Sequence, residues 1–512
     1  MDGTFIARTF DIDFAKREVV LCSDDAADLG VRTGSRVKVV SKKAASVAIV
    51  NTTKKFVKQG EIGLFSKISK ELKAEKGDKV AVHPVDRPSS VVFIKKKLAG
   101  EKLDAKEIQK VIDDMVSESM SDIEISAWVC ALEAGGMTLE EVTSLTTSMA
   151  LSGDTLELEG NVYDKHSIGG VPGNKITPLI IPIVAACGLK IPKTSSRAIT
   201  SPSGTADMIE LFCNVSFSLA EIKEIVEKTN GCMVWGGAVN LAPCDDMMIQ
   251  AEFPLDLDPR PLLLASVMSK KKAVGANYCV IDLPVGHQTK LDNLPLGEKL
   301  ARDFIDLGAR IDMQVECALT YGGQPIGRAV GPALEAREAL LSVKAGVGPE
   351  SLIEKSCAIA GMLLEMGGVA PRDRGAAHAL EVLMSGKAYA KFQEIIEAQG
   401  GNPKIKVEDI PIGRYTFDVK ADSRGYVSKV SNSGIKLVAR AAGAPRDKGA
   451  GVLLAQKVGA KVNAGDVLFT VYAERESKLS NAQVLVNSLN PVKVEGMVLE
   501  TMNPNNPNIR IK

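Results

Sequence analysis

The sequence predicts a multidomain α/β protein: a small β-rich N-terminal domain, a small helical domain, a large α/β mixed-sheet domain and a C-terminal α+β part. Three observations carry this. The chain has 512 residues, and one domain commonly takes about 100–200. Period-two and β-branched runs fill residues 1–86, whereas apolar positions recur every three or four residues over 95–160. From 160 to about 430, strand-like apolar runs alternate with helical ones, the pattern of a sheet covered by helices.

In the first domain the strands are expected at SRVKVV, ASVAIVNTT and DKVAVHPV, with Gly60–Leu64 a turn into a short helix. The turn-rich PVDRPSS at 84–90 marks a boundary. ISAWVCALEAGGMT and LEEVTSLTTSMALSG follow as helices, and Thr138 with Glu141 forms a capping-box pattern. LIIPIVAACGL at 179–189 is too short to span a bilayer and contains Pro182, so it reads as a buried helix. CVIDLPVG at 279–286 reads as a buried strand, and 244–275 interrupts the alternation with helix. SGIKLVARAAGAP, GVLLAQKVGAKVNAGDVLFTVYA and VEGMVLETM suggest the closing α+β part. The expected domains are 1–86, 87–160 with 244–275, 161–243 with 276–430, and 431–512.

Composition excludes several classes. Basic and acidic residues balance at 63 each, so no global field draws nucleic acid or a membrane surface. Aromatics make up 4%, too few for a base-stacking platform. Nine cysteines lie scattered without a CxxC pair, and the four histidines are far apart, so neither metal nor cofactor is expected. Unpaired thiols and an acidic N-terminus, MDGTFIARTFDID, point to the reducing cytoplasm rather than secretion. Lys270-Lys271-Lys272 is a local run inside a helical pattern.

The densest chemical signal runs from Asp164 to Glu210. Lys165-His166-Ser167-Ile168-Gly169-Gly170-Val171-Pro172-Gly173 and the segment Thr194–Thr205 flank one apolar stretch. Glycines let backbone N–H groups approach an anion, and hydroxyls add neutral donors. Two such loops with Lys165 and Arg197 suit a doubly phosphorylated ligand, or phosphate plus a phosphate ester. Taken singly, each Ser or Thr reads as a cap or turn residue.

DKHSxGG, followed about thirty residues later by S-x-R-x-x-x-x-x-x-G-T, resembles the thymidine and pyrimidine-nucleoside phosphorylases. SSRAITSPSGTAD and the extra N-terminal domain are closer to the archaeal-type AMP phosphorylases. The N-terminal part itself resembles the double-psi-barrel-like domains found before some archaeal enzymes and ATPases. The resemblance implies phosphorolysis of nucleoside 5′-monophosphates. AMP and inorganic phosphate would give adenine and ribose 1,5-bisphosphate, with CMP and UMP as further substrates. It implies substrate contacts at Gly170, Ser196, Arg197, Ala198, Ile199, Thr200, Ser201, Thr205, Ser266 and Lys290, with Lys165, Ser167, Ser195 and Lys270 as further candidates. Asp258 is the expected proton donor to the leaving base, a role that asks for a pKa raised by burial and that an inward Arg260 would oppose. His166 either orients the first loop or takes part in the chemistry. Relatives dimerise through the small helical domain, so a homodimer or larger homo-oligomer is expected.

Departures separate this chain from the pyrimidine enzymes. VPGN is one residue longer, Ser201 stands where those enzymes often have His, and Ala251 where they have an Arg. Three alternatives stay open: a thymidine or pyrimidine-nucleoside phosphorylase, an anthranilate-type phosphoribosyltransferase lacking its acidic metal pair, and a non-catalytic assembly or binding protein.

Overall fold

The computed structural model describes residues 3–14 and 16–498; the end of VEGMVLETM, 499–502, lies outside the described residues. The chain gathers into two compact units. One runs to Gly153 and adds Ala242–Ser269; the other takes Asp154–Leu241 and the described chain from Lys270 on.

The first unit opens with a closed six-stranded barrel. Its strands are β1 (Gly3–Phe10), β2 (Glu18–Cys22), β3 (Arg36–Val40), β4 (Ala45–Thr53), β5 (Glu61–Phe65) and β6 (Lys79–Val85), in the order β1-β5-β2-β4-β3-β6. β1 pairs parallel with β5 and β2 with β4, and the other pairs are antiparallel. Short helices α1 (Ser23–Asp28) and α2 (Ser66–Leu72) follow β2 and β5. The expected turn at Gly60–Leu64 is instead strand β5, and the helix waits until Ser66. Pairing on both edges wins over local propensity, and a Cβ at Gly63 would meet Phe10 at 3.1 Å and Val20 at 3.3 Å.

Helices α3 (Ser90–Leu98), α4 (Ala105–Val116), α5 (Asp122–Gly135) and α6 (Leu139–Leu151) form a bundle. The Thr138 capping box is present: Thr138 N donates to Glu141 Oε2 at 2.8 Å, and Glu141 N donates back to Thr138 Oγ1 at 3.3 Å.

The second unit begins with β7 (Tyr163–Ser167), α7 (Thr177–Ala186), β8 (Ile191–Ser195), α8 (Thr205–Ile209), α9 (Leu219–Thr229) and β9 (Gly231–Trp235). The chain then supplies α10 (Pro243–Leu255) and α11 (Arg260–Ala273); Cys244, Met248, Leu262 and Ala265 complete the bundle core around Trp128. Next come β10 (Tyr278–Val285), α12 (Leu294–Arg310), β11 (Gln314–Tyr321), β12 (Ala329–Val330), α13 (Pro332–Ala345), α14 (Glu350–Met366), α15 (Gly375–Met384) and α16 (Lys387–Ala398). β13 (Tyr415–Lys420), β14 (Gly425–Val430), α17 (Asn432–Ala441), β15 (Gly451–Leu454), β16 (Lys461–Val462), β17 (Val467–Ala473), α18 (Glu476–Leu489) and β18 (Val492–Glu495) close it.

The expected mixed sheet separates into parallel and antiparallel parts. β11-β10-β7 and β8-β9 are parallel throughout, and a parallel bridge between Val162 and Lys190 links β7 to β8. Among the described residues of this unit, antiparallel pairing falls in β12-β15-β17-β13 and β16-β14-β18. Every residue of α7 from Thr177 to Ala185 is buried, because its apolar sequence has a neighbour on every side.

Candidate active site

The two Gly-rich segments leave the C-terminal ends of neighbouring parallel strands, where open α/β sheets bind ligands. β7 ends at Ser167 and the chain loops to α7; β8 ends at Ser195 and loops to α8, which begins at Thr205. In the first loop Gly169 and Gly170 have φ of 84° and 93°, conformations that side chains resist. A Cβ on Gly170 would lie 3.2 Å from Lys290 N, so Gly170 and Lys290, 120 positions apart, meet through backbone. In the second loop a Cβ on Gly204 would lie 2.4 Å from Ala198 N, so only glycine allows the loop to fold back on itself.

Asp282, fully buried on β10, organises the first loop. Its Oδ2 accepts from Ser167 Oγ at 2.7 Å and Asn174 Nδ2 at 3.2 Å, and its Oδ1 from Thr320 Oγ1 at 2.6 Å. Lys355 pairs with it at 2.9 Å. Burial alone would raise this carboxyl, but Lys355 and the hydroxyl donors outweigh it and the pKa falls. Ser167 thus directs its one hydroxyl proton at Asp282. Lys165, also buried, is pushed down to about 8 by desolvation, against the pull of Asp282 and Asp164. His166 is held well below the usual imidazole range by burial and by Lys271, Lys193 and Lys165, so it is neutral near pH 7.

Asp207 plays the corresponding part in the second loop. Its Oδ2 accepts from Ala198 N at 2.8 Å and Gly204 N at 3.1 Å, and its Oδ1 lies 3.0 Å from Lys448 Nζ. Arg197, expected to face an anion, forks onto Glu210 at 2.8 and 2.6 Å and lies over Trp235. In this state it braces the loop. Ser196, Ile199 and Thr200 are exposed, while Ser201 and Thr205 are half-buried. Ser195 Oγ is buried and finds no hydrogen-bond partner among the described residues.

The remaining candidates lie on another segment. Asp258 is exposed in the turn between α10 and α11, and Ser266 and Lys270, both half-buried, sit four residues apart on α11. The expectation of a buried Asp258 is corrected: this turn leaves it in solvent.

Several residues escaped the sequence reading: Asp282, Asp207, Lys193, Lys271, Lys355, the pair Lys175–Glu338 and Glu335 beside it. Lys271 is buried against Asp164 at 2.6 Å, not part of a solvated run. Fully buried Lys175 bonds Gly173 O at 2.8 Å and Ile326 O at 3.0 Å and pairs with Glu338 at 2.6 Å. Buried Glu335 accepts from Gly331 N at 3.0 Å, and desolvation raises its carboxyl to about 7. One signal was available: an Asp inside the apolar run CVIDLPV asks for buried partners.

The chain is similar to known proteins over most of its length. Residues 91–153 match the family model described as glycosyl transferase family, helical bundle domain, and 159–389 its a/b domain. Residues 426–492 match the pyrimidine nucleoside phosphorylase C-terminal domain. The AMP phosphorylase of Thermococcus kodakarensis is 51% identical over 497 residues, covering 96% of this chain and 98% of the relative. That of Methanosarcina barkeri is 50% identical over 493 residues, covering 96% and 97%. The solved anthranilate phosphoribosyltransferase of Thermus thermophilus shares the fold, with TM-score 0.51 and 18% identity over 60% of this chain and 99% of that one. Near-complete coverage at half identity, over a chain with paired loops at parallel strand ends, makes this protein a member of the AMP phosphorylase family.

Proposed function

We propose that the chain cleaves AMP with inorganic phosphate, releasing adenine and α-D-ribose 1,5-bisphosphate, and that CMP and UMP are further substrates. Its relatives' name supports the AMP reaction. The observation that carries the reading is the pair of loops on adjacent parallel strands, with Lys165 beneath one and Lys290 against the other side of Gly170.

In such a reaction the C1′–N bond breaks while positive charge grows on the ribose and a phosphate oxygen attacks C1′. The nucleophile needs an anion cradle, the sugar needs positioning, and the base needs a proton. Gly170, Ser196, Ala198, Ile199, Thr200, Ser201, Thr205 and Lys290 line the nucleotide's path. Ser195 and Lys165 receive phosphate. Ser167 and Arg197 serve by holding the loops. Ser266 and Lys270 face the base, and Asp258 protonates it; a seated base supplies the desolvation that this exposed carboxyl lacks before substrate arrives.

Four modules divide the work: 1–86, a barrel of the double-psi kind; 87–160 with 244–275; 161–243 with 276–430; and 431–512. The protein acts as a cytoplasmic homodimer or larger homo-oligomer, which light scattering would report as a mass above the 54.4 kDa chain. The deciding experiment measures free base released from AMP, CMP, UMP, adenosine and thymidine, with and without phosphate. Phosphate-dependent release, fastest from AMP, is expected. Faster cleavage of adenosine or thymidine would overturn the nucleotide reading.

A further inference from the structure

The second unit buries four lysines around two carboxylates in β7, β8, β10 and the helices behind them. Lys165, Lys193, Lys271 and Lys355 are 3%, 5%, 2% and 8% exposed, and Asp164 and Asp282 are 0% exposed. Each carboxylate already has a lysine: Lys271 Nζ lies 2.6 Å from Asp164 Oδ2, and Lys355 Nζ 2.9 Å from Asp282 Oδ2. Their other oxygens are engaged as well. Asp164 Oδ1 accepts from Lys165 N at 2.7 Å, and Asp282 Oδ1 from Thr320 Oγ1 at 2.6 Å. Lys193 Nζ stays 3.9 Å from Asp164 Oδ1, beyond hydrogen-bond reach, and meets the Thr194 carbonyl instead. Lys165 and Lys193 therefore have no carboxylate of their own. Two buried ammonium groups that must share carboxylates already held by other lysines are costly in the free protein, and a bound anion offsets that cost.

We infer that Lys193 is a further ligand-reading residue of this site: with Lys165 it forms a dicationic floor that receives a phosphate dianion. The inference rests on the phosphorolysis proposed above. Either inorganic phosphate or the nucleotide's 5′-phosphate offers this chemistry. Position agrees, because the two lysines stand two residues before Ser167 and Ser195, where the strands give way to the loops. Desolvation and neighbouring ammonium groups lower both lysines, Lys193 the further. A dianion reverses that shift.

Lys193→Met keeps an unbranched side chain one atom shorter and removes its charge. Without ligand its melting temperature is expected to hold or rise, because an uncompensated buried charge has gone. Lys271→Met, which strands Asp164, is expected to lower it. Inorganic phosphate and AMP are then varied separately. Lys193→Met is expected to raise KM about tenfold for one of them and at least halve the Tm rise it induces, with kcat within about threefold. A change confined to inorganic phosphate assigns the floor to the nucleophile; one confined to AMP assigns it to the 5′-phosphate. Lys193→Arg should retain the response. Unchanged KM for both ligands, in Lys193→Met or in Lys193→Gln should the first not fold, overturns the inference. So does a ligand-free Tm lowered as far as in Lys271→Met, which would make Lys193 structural. Absence of phosphate-dependent cleavage in the wild type would instead defeat the functional reading itself.

Discussion

The Arg197 guanidinium holds the Glu210 carboxylate at two points, 2.8 and 2.6 Å, while lying 4.8 Å above the Trp235 ring. The fork joins the start of the second loop to the end of α8, and the stack joins it to the end of β9. Loop shape is thereby fixed before any ligand arrives.

Arg197→Ala removes both ties. It is expected to raise KM for AMP and shift tryptophan emission, since Trp235 and bundle-buried Trp128 are the only two tryptophans. The stability loss should stay below about 1 kcal/mol, because the pair is part-exposed and screened. Steady-state kinetics with an emission spectrum checks this; unchanged emission and KM would mean the loop holds itself.

Asp282→Asn keeps the shape of the hub but leaves Lys355 without its counter-ion and turns an amide toward the Ser167 and Asn174 donors. A loss of about 3–5 kcal/mol is expected for breaking such a buried pair, with KM for phosphate rising more than kcat falls. Denaturant melts and a phosphate titration measure both. The pH dependence has a definite sign. This carboxyl's folded pKa lies below the ordinary 3.8, so its contribution is full above that value and fades as acid takes the pH lower.

Glu335 behaves in the opposite way. Its folded pKa, about 7, lies above the ordinary 4.5, with Lys175 and Glu338 the charged groups around it. Between these values the folded state binds the proton more tightly, so stability falls as pH rises through the window and levels off above it. The loss is on the order of 3 kcal/mol at most. Glu335→Gln should flatten the profile between pH 4.5 and 7 in denaturant melts; a profile unchanged from wild type would exclude this carboxyl as the source.

Asp258→Asn cannot donate the proton that the departing base needs. It is expected to lower kcat by about 10²–10⁴ with little change in KM for AMP. A near-wild-type kcat in folded enzyme would return Asp258 to a structural role in the turn before α11. His166 is a poor substitute, being neutral near pH 7.

What could be foreseen from the sequence was local. Gly169-Gly170 announced a loop because only glycine tolerates its backbone, and Thr138 with Glu141 announced a helix start because the cap closes within one turn. Pairings across the fold stayed hidden. Nothing in Lys270-Lys271-Lys272 says that the middle lysine turns inward to Asp164, 107 residues away. The partners of Arg197 stayed hidden for a related reason: its charge suggested an anionic ligand, and the sequence did not show that Asp207 and Glu210 fold back onto it. The strand at Glu61–Phe65 escaped because both of its partners lie elsewhere in the barrel.

The helical bundle closes only when α10 and the start of α11 supply Cys244, Met248, Leu262 and Ala265 to the core around Trp128. During synthesis the barrel strands, ending at Val85, are complete far earlier. The nascent chain therefore carries a finished barrel beside a half-built bundle whose apolar face stays uncovered while β7 to β9 emerge. A ribosome-arrested chain ending near residue 200 should yield a protease-resistant barrel and readily cut helices, and one extended past Ala273 should protect both.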